Sequence, residues 1–213
     1  MTTLTRRNLG LAAGMATAVA LTAGSMIAFS ADAAPVSGES APIFVDYSTS
    51  TGETISLGDF EGKTVVLEWT NHDCPYVKKH YNSGNMQALQ KDATANGVVW
   101  LSIISSRPGK QGHVSGKQAN ELTASRNASP TAVILDESSE IGLLYGAKTT
   151  PHMYIVDKSG QLVYMGGIDN TPSKDEDDIP KSKNYVRAAL DEMAAGQAIK
   201  ESITRPYGCS VKY

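Results

Sequence analysis

The sequence predicts an α/β domain with a central mixed β-sheet flanked by helices. Two apolar runs, at 64–69 and 98–104, are continuous rather than alternating, as is typical of fully buried strands in parallel sheets. A helical pattern follows each run, and two strand patterns within 152–165 precede the last helix. Strands that alternate with helices and end in a hairpin are typical of layered α/β folds with a mixed sheet.

The first half of the domain begins with short extended segments. We predict an opening strand at Pro42–Asp46 and a second at Thr54–Leu57, with turn residues between them. The first buried strand then leads through a short loop into a helix from Cys74 to about Tyr81. Asn85 is expected to cap the next helix. The buried side of that helix is predicted to consist of Met86, Leu89, Gln90 and Ala93.

The second half alternates strands and helices up to a final helix at 185–195. Asn184 fits the N-cap of this helix and Gly196 its C-cap. A charged segment at 173–183 is expected to be a solvated insertion. The other predicted elements are a Gly-rich loop at 105–116, a polar helix at 117–126, a strand at 131–135, a short helix at 138–145, and hairpin strands at 152–157 and 161–165.

Residues 1–34 have the pattern of an export signal. Arg6 and Arg7 precede a mildly apolar stretch at 9–29, and small residues at 31–34 follow it as a cleavage site. Paired arginines are typical of the twin-arginine class, and an uncleaved membrane anchor is the alternative. We therefore expect a periplasmic or secreted protein that meets the membrane only during export.

The rest of the chain divides into a domain at 35–195 and a C-terminal tail at 196–213. The whole sequence has 19 Lys and Arg residues against 22 Asp and Glu residues, a formal net charge of −3. It shows no basic stripe, so we expect no nucleic-acid partner. Two cysteines allow one disulfide, which is too few for a disulfide-stapled scaffold, so the sulfurs are expected to serve chemistry.

Cys74 stands at the start of a predicted helix, shortly after a buried strand. A helix N-terminus presents unpaired N–H groups and the positive end of the helix dipole, and both favour a thiolate and lower its pKa. His72, Lys78 and Lys79 lie close by in sequence and favour the thiolate further. The residues therefore predict a reactive nucleophile, and the alternative is a buried, inert cysteine.

The order of these elements resembles the thioredoxin superfamily, and within it the redoxin branch of peroxiredoxin-like and periplasmic thioredoxin-like proteins. The resemblance covers about Pro42 to Ala195. It is carried by the segments 52–67 and 150–160, through their order and spacing around Cys74. It implies a thioredoxin-like fold, an attacking thiolate, and a thiol reductant or a protein disulfide as partner.

The resemblance also implies roles for individual residues. Cys74 corresponds to the attacking cysteine of the family, and Pro151 to the proline that is cis and packs beside that sulfur. Thr150 would offer backbone hydrogen bonds to an extended substrate. Glu68 corresponds to the buried acid that relays protons, and burial would raise the pKa of its carboxyl group. For Glu68, the alternative is a side chain that reaches solvent at a strand end.

Two departures from the family patterns concern the second sulfur. Val77 stands where a thioredoxin has its second cysteine, and Leu67 and Asn71 replace the proline and threonine of the peroxiredoxin pattern. An intermediate on Cys74 therefore needs another sulfur, and a tail that folds back would bring Cys209 as the resolving cysteine. The alternatives are an external thiol, a second chain, a tail cysteine without a role in the site, or a static structural bridge.

Three activities follow as hypotheses. The chain is a thiol–disulfide oxidoreductase, a peroxiredoxin-like hydroperoxide reductase, or a protein without catalysis, namely a copper-binding redoxin-fold metallochaperone or another binding protein. The two enzymes would need no bound cofactor and would draw electrons from a thiol partner. The copper alternative would use both cysteines and nearby imidazoles as soft ligands. Those imidazoles are His72, His80 and His152.

The remaining side chains near Cys74 have less specific roles. Tyr76 is predicted to line a substrate groove, with core packing as the alternative. Arg126 would stabilise an anion near the sulfur or lie as a surface cation at a helix end. His113 is expected to be solvated.

Overall fold

The computed structural model describes Met1 and residues 34–213. The predicted export signal at residues 1–34 therefore lies, apart from its two end residues, outside the described residues. Within the described part of the chain, no helix has the length and apolar character needed to cross a membrane.

The described chain contains nine strands and five α-helices. The strands are β1 (Tyr47–Ser48), β2 (Thr54–Ile55), β3 (Val65–Trp69), β4 (Val99–Ile104), β5 (Ala132–Leu135), β6 (Thr149–Thr150), β7 (His152–Val156), β8 (Leu162–Gly166) and β9 (Cys209–Ser210). The helices are α1 (Pro75–Asn82), α2 (Asn85–Ala95), α3 (Gly116–Ser125), α4 (Glu140–Leu144) and α5 (Tyr185–Ala194). Two 3-10 helices lie at Leu57–Phe60 and Glu176–Lys181.

Five strands form one mixed sheet in the order β5-β4-β3-β7-β8. The strands β3, β4 and β5 are parallel, while β7 is antiparallel to both β3 and β8. This arrangement confirms the predicted α/β class and the mixed sheet. The parallel strands point their carboxyl ends at one edge of the sheet, and the loop to Cys74 leaves from that edge.

The central strand β3 is buried on both faces because side chains alternate across a sheet. Val65, Leu67 and Trp69 pack on one face with α4 and the segments before β3. Val66 packs on the other face with residues of α1, α2 and α5. Glu68 shares this second face, so its carboxylate lies beneath α1.

Three local predictions were wrong at the ends of elements. Residues 42–46 form no strand, since Asp46 has a φ of 58° and the chain bends before β1. The strand predicted at 54–57 ends at Ile55, because Ser56 and Asp59 form a capping box that begins a 3-10 helix. The N-cap of α2 is Gly84, and the side chain of Asn85 binds His80 instead.

The tail at 196–213 is packed along the domain rather than separate from it. The backbone of Thr204 pairs with Met165 at the end of β8. Further on, β9 pairs antiparallel with β6. The Tyr213 hydroxyl donates to the carbonyl oxygen of Ala147 at 2.6 Å. The tail therefore crosses the edge of the domain where β6 lies.

Candidate active site

Cys74 is the N-cap residue of α1 and follows β3 after a four-residue loop. Pro75 occupies the first helical position, where its missing N–H costs no hydrogen bond. The Cys74 side chain has no exposed area. Its thiol donates to the carbonyl oxygen of Thr150 at 3.0 Å. The predicted position at a helix start is confirmed, and the sulfur is in contact with the segment before β7.

The surroundings of Cys74 lower the pKa of its thiol overall. Burial acts in the opposite direction and is the largest single effect, because it disfavours the charged form. It is outweighed by donors around the sulfur, which are the Cys209 thiol, Thr150, and the backbone N–H groups of Val77 and Cys209. The Thr150 hydroxyl is buried and has no partner among the described residues, so it is available to a thiolate.

Cys209 lies beside Cys74 because the tail returns to the site. In the β6–β9 pair, Thr150 is the cross-strand partner of Cys209, and Cys74 bonds the carbonyl of the same Thr150. The pKa of Cys209 is raised by burial, by its hydrogen bond to Cys74 and by the charge of Cys74. Both sulfurs are free thiols in this structure. The pair thus consists of an acidic thiol on Cys74 and a protonated neighbour on Cys209.

Gly208 explains how the tail approaches so closely. Its φ is 137°, a conformation that side chains rarely adopt. A Cβ at this position would overlap the carbonyl group of Thr150. Glycine is therefore required for β9 to reach β6 in this register.

The peptide bond between Thr150 and Pro151 is cis, as the resemblance implies. Thr150 is buried, and its strand edge is already paired with the tail. The resemblance implies that the backbone of Thr150 is open to an extended substrate. In the structure the chain's own residues Cys209–Ser210 occupy it.

Tyr76 lies two residues after Cys74 and is partly exposed. Its ring packs edge-to-face with that of Tyr207, with ring centroids 5.8 Å apart. The ammonium group of Lys174 lies 5.7 Å from the centre of the Tyr76 ring. The side chain of Tyr76 therefore fills the space between the start of α1 and the tail, at the rim of the site.

Glu68 is fully buried but accepts four side-chain hydrogen bonds. Oε1 accepts from the Tyr81 hydroxyl at 2.8 Å. Oε2 accepts from Gln90 at 3.1 Å, from the Trp100 indole at 2.8 Å and from Ser102 at 3.0 Å. The alternative of a side chain in solvent is wrong. Because α1 supplies Tyr81, this network connects Glu68 to the helix that Cys74 begins.

Two of the three histidines of the copper alternative, His80 and His152, are engaged with other residues. His80 is buried between Asn85 and Tyr207, and His152 accepts from the Lys148 backbone N–H and contacts the Tyr154 hydroxyl. Burial lowers the pKa of His80 to about 4, and that of His152 to about 3. Within residues 34–213, no group of three His, Cys, Asp or Glu side chains is placed to hold a metal ion. The predicted copper ligand set is therefore not assembled.

Two other predicted residues have structural partners. The Arg126 guanidinium donates to the carbonyl oxygen of His72 at 3.2 Å and stacks on the ring of Tyr81 at 4.9 Å. It thus ties the loop before Cys74 to α1 and is not a free surface cation. His113 is partly exposed and lies 3.2 Å from Glu137.

A buried group that the sequence did not predict connects α1 to the tail. Lys79 and His80 face Asp169, and Asp169 accepts a hydrogen bond from Tyr207. The tail carries two tyrosines, whose rings are suited to packing, and this is a weak signal for its docking. Its docking partner, Asp169, has no local sequence signature.

Comparisons with known proteins agree with this architecture. The Redoxin family model matches residues 36–182. An uncharacterized conserved protein from Geobacillus kaustophilus is 25% identical, with a TM-score of 0.71 over 84% of this chain and 92% of that chain. A hypothetical protein from Sinorhizobium meliloti is 19% identical, with a TM-score of 0.69 over 85% of this chain and 96% of that one.

A more distant structure carries a functional description. A candidate protein disulfide isomerase from Bacteroides thetaiotaomicron is 17% identical, with a TM-score of 0.53 over 75% of this chain and 90% of that chain. No curated protein sequence matches the chain. Since the family model covers most of the domain, the chain belongs to the redoxin family and has a thioredoxin-like fold.

Proposed function

We propose that the chain is a thiol–disulfide oxidoreductase in which Cys74 attacks and Cys209 resolves. The observation that carries this proposal is the pairing of β9 with β6. It sets Cys209 opposite Thr150, whose carbonyl oxygen accepts the hydrogen bond of the Cys74 thiol. Fold likeness to a candidate protein disulfide isomerase supports the same reaction class.

The first step is attack by the Cys74 thiolate on one sulfur of a substrate disulfide. A mixed disulfide forms on Cys74, and the other substrate sulfur leaves as a thiolate. The lowered pKa of Cys74 supports its role as the nucleophile, because the thiolate is the attacking species. The raised pKa of Cys209 keeps that sulfur protonated at this stage.

The second step is attack by Cys209 on the Cys74 sulfur of the mixed disulfide. Cys209 loses its proton, a Cys74–Cys209 disulfide forms, and the second substrate thiol is released. A thiol reductant then returns the couple to two thiols. Glu68 is proposed to exchange protons during these steps, and its support is the bond to Tyr81 of the helix that Cys74 begins.

Access to Cys74 requires movement of the tail, because the sulfur has no exposed area. When β9 leaves β6, the backbone of Thr150 beside cis Pro151 becomes free to pair with an extended substrate. Tyr76 then lines one side of the opened groove. In this proposal the tail and the substrate use the same strand edge in turn.

A hydroperoxide is the second electrophile that the couple would accept. The thiolate of Cys74 would attack one peroxide oxygen and form a sulfenic acid, while the other oxygen leaves as an alcohol, or as water from hydrogen peroxide. The Cys209 thiol would then condense with the sulfenic acid to a disulfide and water. Leu67 and Asn71 replace the proline and threonine of the peroxiredoxin pattern. For this reason we propose disulfides as the main substrates.

The pattern at 1–34 supports action outside the cytoplasm.

A trapping experiment tests the proposal. Reduced Cys209→Ser protein is treated with oxidised glutathione or with hydrogen peroxide, and the products are measured by intact mass. We expect a stable mixed disulfide of Cys74 with one glutathione, because the resolving sulfur is missing. Wild-type protein should instead end with an internal disulfide and no bound glutathione.

Cys74→Ser is the matched control, since it retains Cys209 alone. It should trap glutathione far more slowly, because burial, the largest cause of the raised pKa of Cys209, is still present in this variant. If Cys209→Ser releases glutathione as fast as the wild type, Cys209 is not the resolving residue. If peroxide reacts faster than the disulfide at equal concentration, the hydroperoxide reaction replaces disulfide exchange as the main activity.

A further inference from the structure

A buried cluster of charged and polar side chains lies between α1 and the tail. The ammonium group of Lys79 donates to the Asp169 carboxylate at 3.4 Å and to the Thr171 carbonyl at 2.9 Å. The other Asp169 oxygen accepts from the Tyr207 hydroxyl at 2.5 Å. The Nε2 atom of His80 lies 3.1 Å from the same hydroxyl. The side chains of Lys79 and His80 have no exposed area, and that of Asp169 is 2% exposed.

Such a cluster is costly to bury unless its groups are well paired, and no step of the reaction described above uses it. Its link to the reaction is Tyr207, which precedes Cys209 by two residues. The Tyr207 ring also packs on Tyr76, which follows Cys74 by two residues. A single side chain of the tail thus contacts both the buried cluster and the start of the cysteine-bearing helix.

A cleft borders this part of the tail. It measures about 470 Å³ and is lined by Thr149, Arg205, Tyr207 and Gly208, together with Asp169 and residues near it. Packing of this part of the tail is therefore incomplete on the side of the cleft, although Tyr207 and Cys209 pack against the core on the other. The hydrogen bond from Tyr207 to a charged acceptor is the strong polar contact here, since charge-assisted bonds are about twice as strong as neutral ones.

We propose that Tyr207 is a positioning residue for the second sulfur. Its bond to Asp169, whose charge is balanced by Lys79, holds the tail so that Cys209 stays against Cys74. This inference rests on the proposed Cys74–Cys209 couple and deepens it. It has two consequences: the bond raises the effective concentration of Cys209 at Cys74, and it keeps the tail over the buried sulfur.

Tyr207→Phe in the full-length protein tests the inference, because it removes the hydroxyl and keeps the ring. One readout is the thiol–disulfide equilibrium with glutathione, in which two protein thiols become a disulfide while one glutathione disulfide becomes two thiols. We expect the equilibrium constant to fall about tenfold, the effect of losing a hydrogen bond to a charged group. The second readout is alkylation of Cys74 in the reduced protein, which should become faster.

Tyr47→Phe is the matched control, since Tyr47 also donates to a carboxylate, that of Glu140, at 2.7 Å and is not in the tail. It should leave both readouts unchanged. If Tyr207→Phe does not fold, the double variant Lys79→Met with Asp169→Asn gives the second test, because it removes the charge of the acceptor without leaving a buried ammonium group unpaired.

The outcomes separate this inference from the function on which it rests. If folded Tyr207→Phe has the same thiol–disulfide equilibrium constant as the wild type, the positioning role of Tyr207 is overturned and the proposed function is not. A wild-type protein that forms no internal disulfide overturns the proposed function, and the inference with it. Equal loss in Tyr207→Phe and Tyr47→Phe would mean a general destabilisation and would also contradict the positioning role.

Discussion

The two sulfurs of the site are held in different ways. Cys74 is placed by neighbours in sequence, because β3, a short loop and the first turn of α1 follow one another within residues 65–82. Cys209 is placed by residues far away in sequence, through Thr150 at its strand edge and through Asp169 at Tyr207. In the proposed reaction, the attacking sulfur therefore depends on a contiguous segment, while the resolving sulfur depends on the docking of a tail. We call residues 65–82 the Cys74 half of the site and residues 196–213 the tail half. The two halves should respond differently to mutation and to pH.

Substitution of Gly208 should prevent the tail from docking on β6 without changing the structure around Cys74. Gly208→Ala places a Cβ against the Thr150 carbonyl in a strained backbone conformation. We expect the free energy of tail docking to become less favourable by about 3 kcal/mol, because of the overlap and the strain together. This lowers the equilibrium constant for docking roughly 100-fold. The measurement is the rate of internal disulfide formation after addition of oxidised glutathione.

Gly196→Ala is the control for that substitution. Gly196 also has a positive φ, of 67°, but a Cβ there meets nothing within 4 Å. Gly196→Ala should therefore lose only the free energy of placing an alanine at a positive φ. Its rate of internal disulfide formation should stay close to that of the wild type. Similar rates for the two alanine variants would mean that the β6–β9 register is not needed for resolution.

Acid should weaken the fold through two buried histidines. His80 and His152 have folded pKa values of about 4 and about 3, below the ordinary value of about 6.5. Between pH 6.5 and 4 the unfolded chain therefore binds up to two more protons than the folded one. Their contribution to stability is present above pH 6.5 and is lost as pH falls, at up to about 2.7 kcal/mol per pH unit.

Urea unfolding of the reduced protein at pH 7, 6 and 5 measures this loss. His152→Gln should reduce the slope against pH by about half, since one of the two groups is removed. Gln111→Ala is the control, because that side chain is exposed and does not titrate, and it should leave the slope unchanged. A free energy of unfolding that stays constant from pH 7 to 5 would contradict the assignment of two neutral, buried imidazoles.

Removal of Cys209 should change the acidity of Cys74, which is the smallest of these effects. The Cys209 thiol and its backbone N–H both lower the pKa of Cys74. Cys209→Ala removes the thiol donor, so the pKa of Cys74 should rise. The pH profile of alkylation by iodoacetamide measures it, and Val211→Ala serves as a tail control. An unchanged profile would mean that the Cys209 thiol does not contribute to the acidity of Cys74.

The sequence predicted the Cys74 half well because its signals are local. An apolar run, a loop and a helix start are all visible in the residues between Val65 and Asn82, and the structure confirms each of them. The nearest error lies just beyond this segment. Gly84, with a positive φ, is the N-cap of α2 in place of the predicted Asn85. The opening segment at 42–46 misled the prediction because its apolar residues belong to no strand, and the carbonyl of Phe44 accepts its backbone hydrogen bond from the 3-10 helix residue Leu57.

The tail half could not be placed from sequence in the same way. A two-residue strand such as β9 has no periodicity, and its register is decided by contacts with Thr150 that are distant in the chain. The Asp169 cluster is equally non-local, since its members come from α1, the loop after β8 and the tail. Only Gly208 carried a local signal, namely a residue able to make a close backbone approach.

The most direct test of the central claim is the intact mass of the full-length protein after alkylation without reductant, before and after one equivalent of oxidised glutathione. We predict two alkylated thiols before oxidation. Afterwards there should be none, with a mass two hydrogens lower and no chain-to-chain link, which identifies an internal Cys74–Cys209 disulfide. Two thiols that remain alkylatable after oxidation, or a disulfide-linked dimer, would contradict the account.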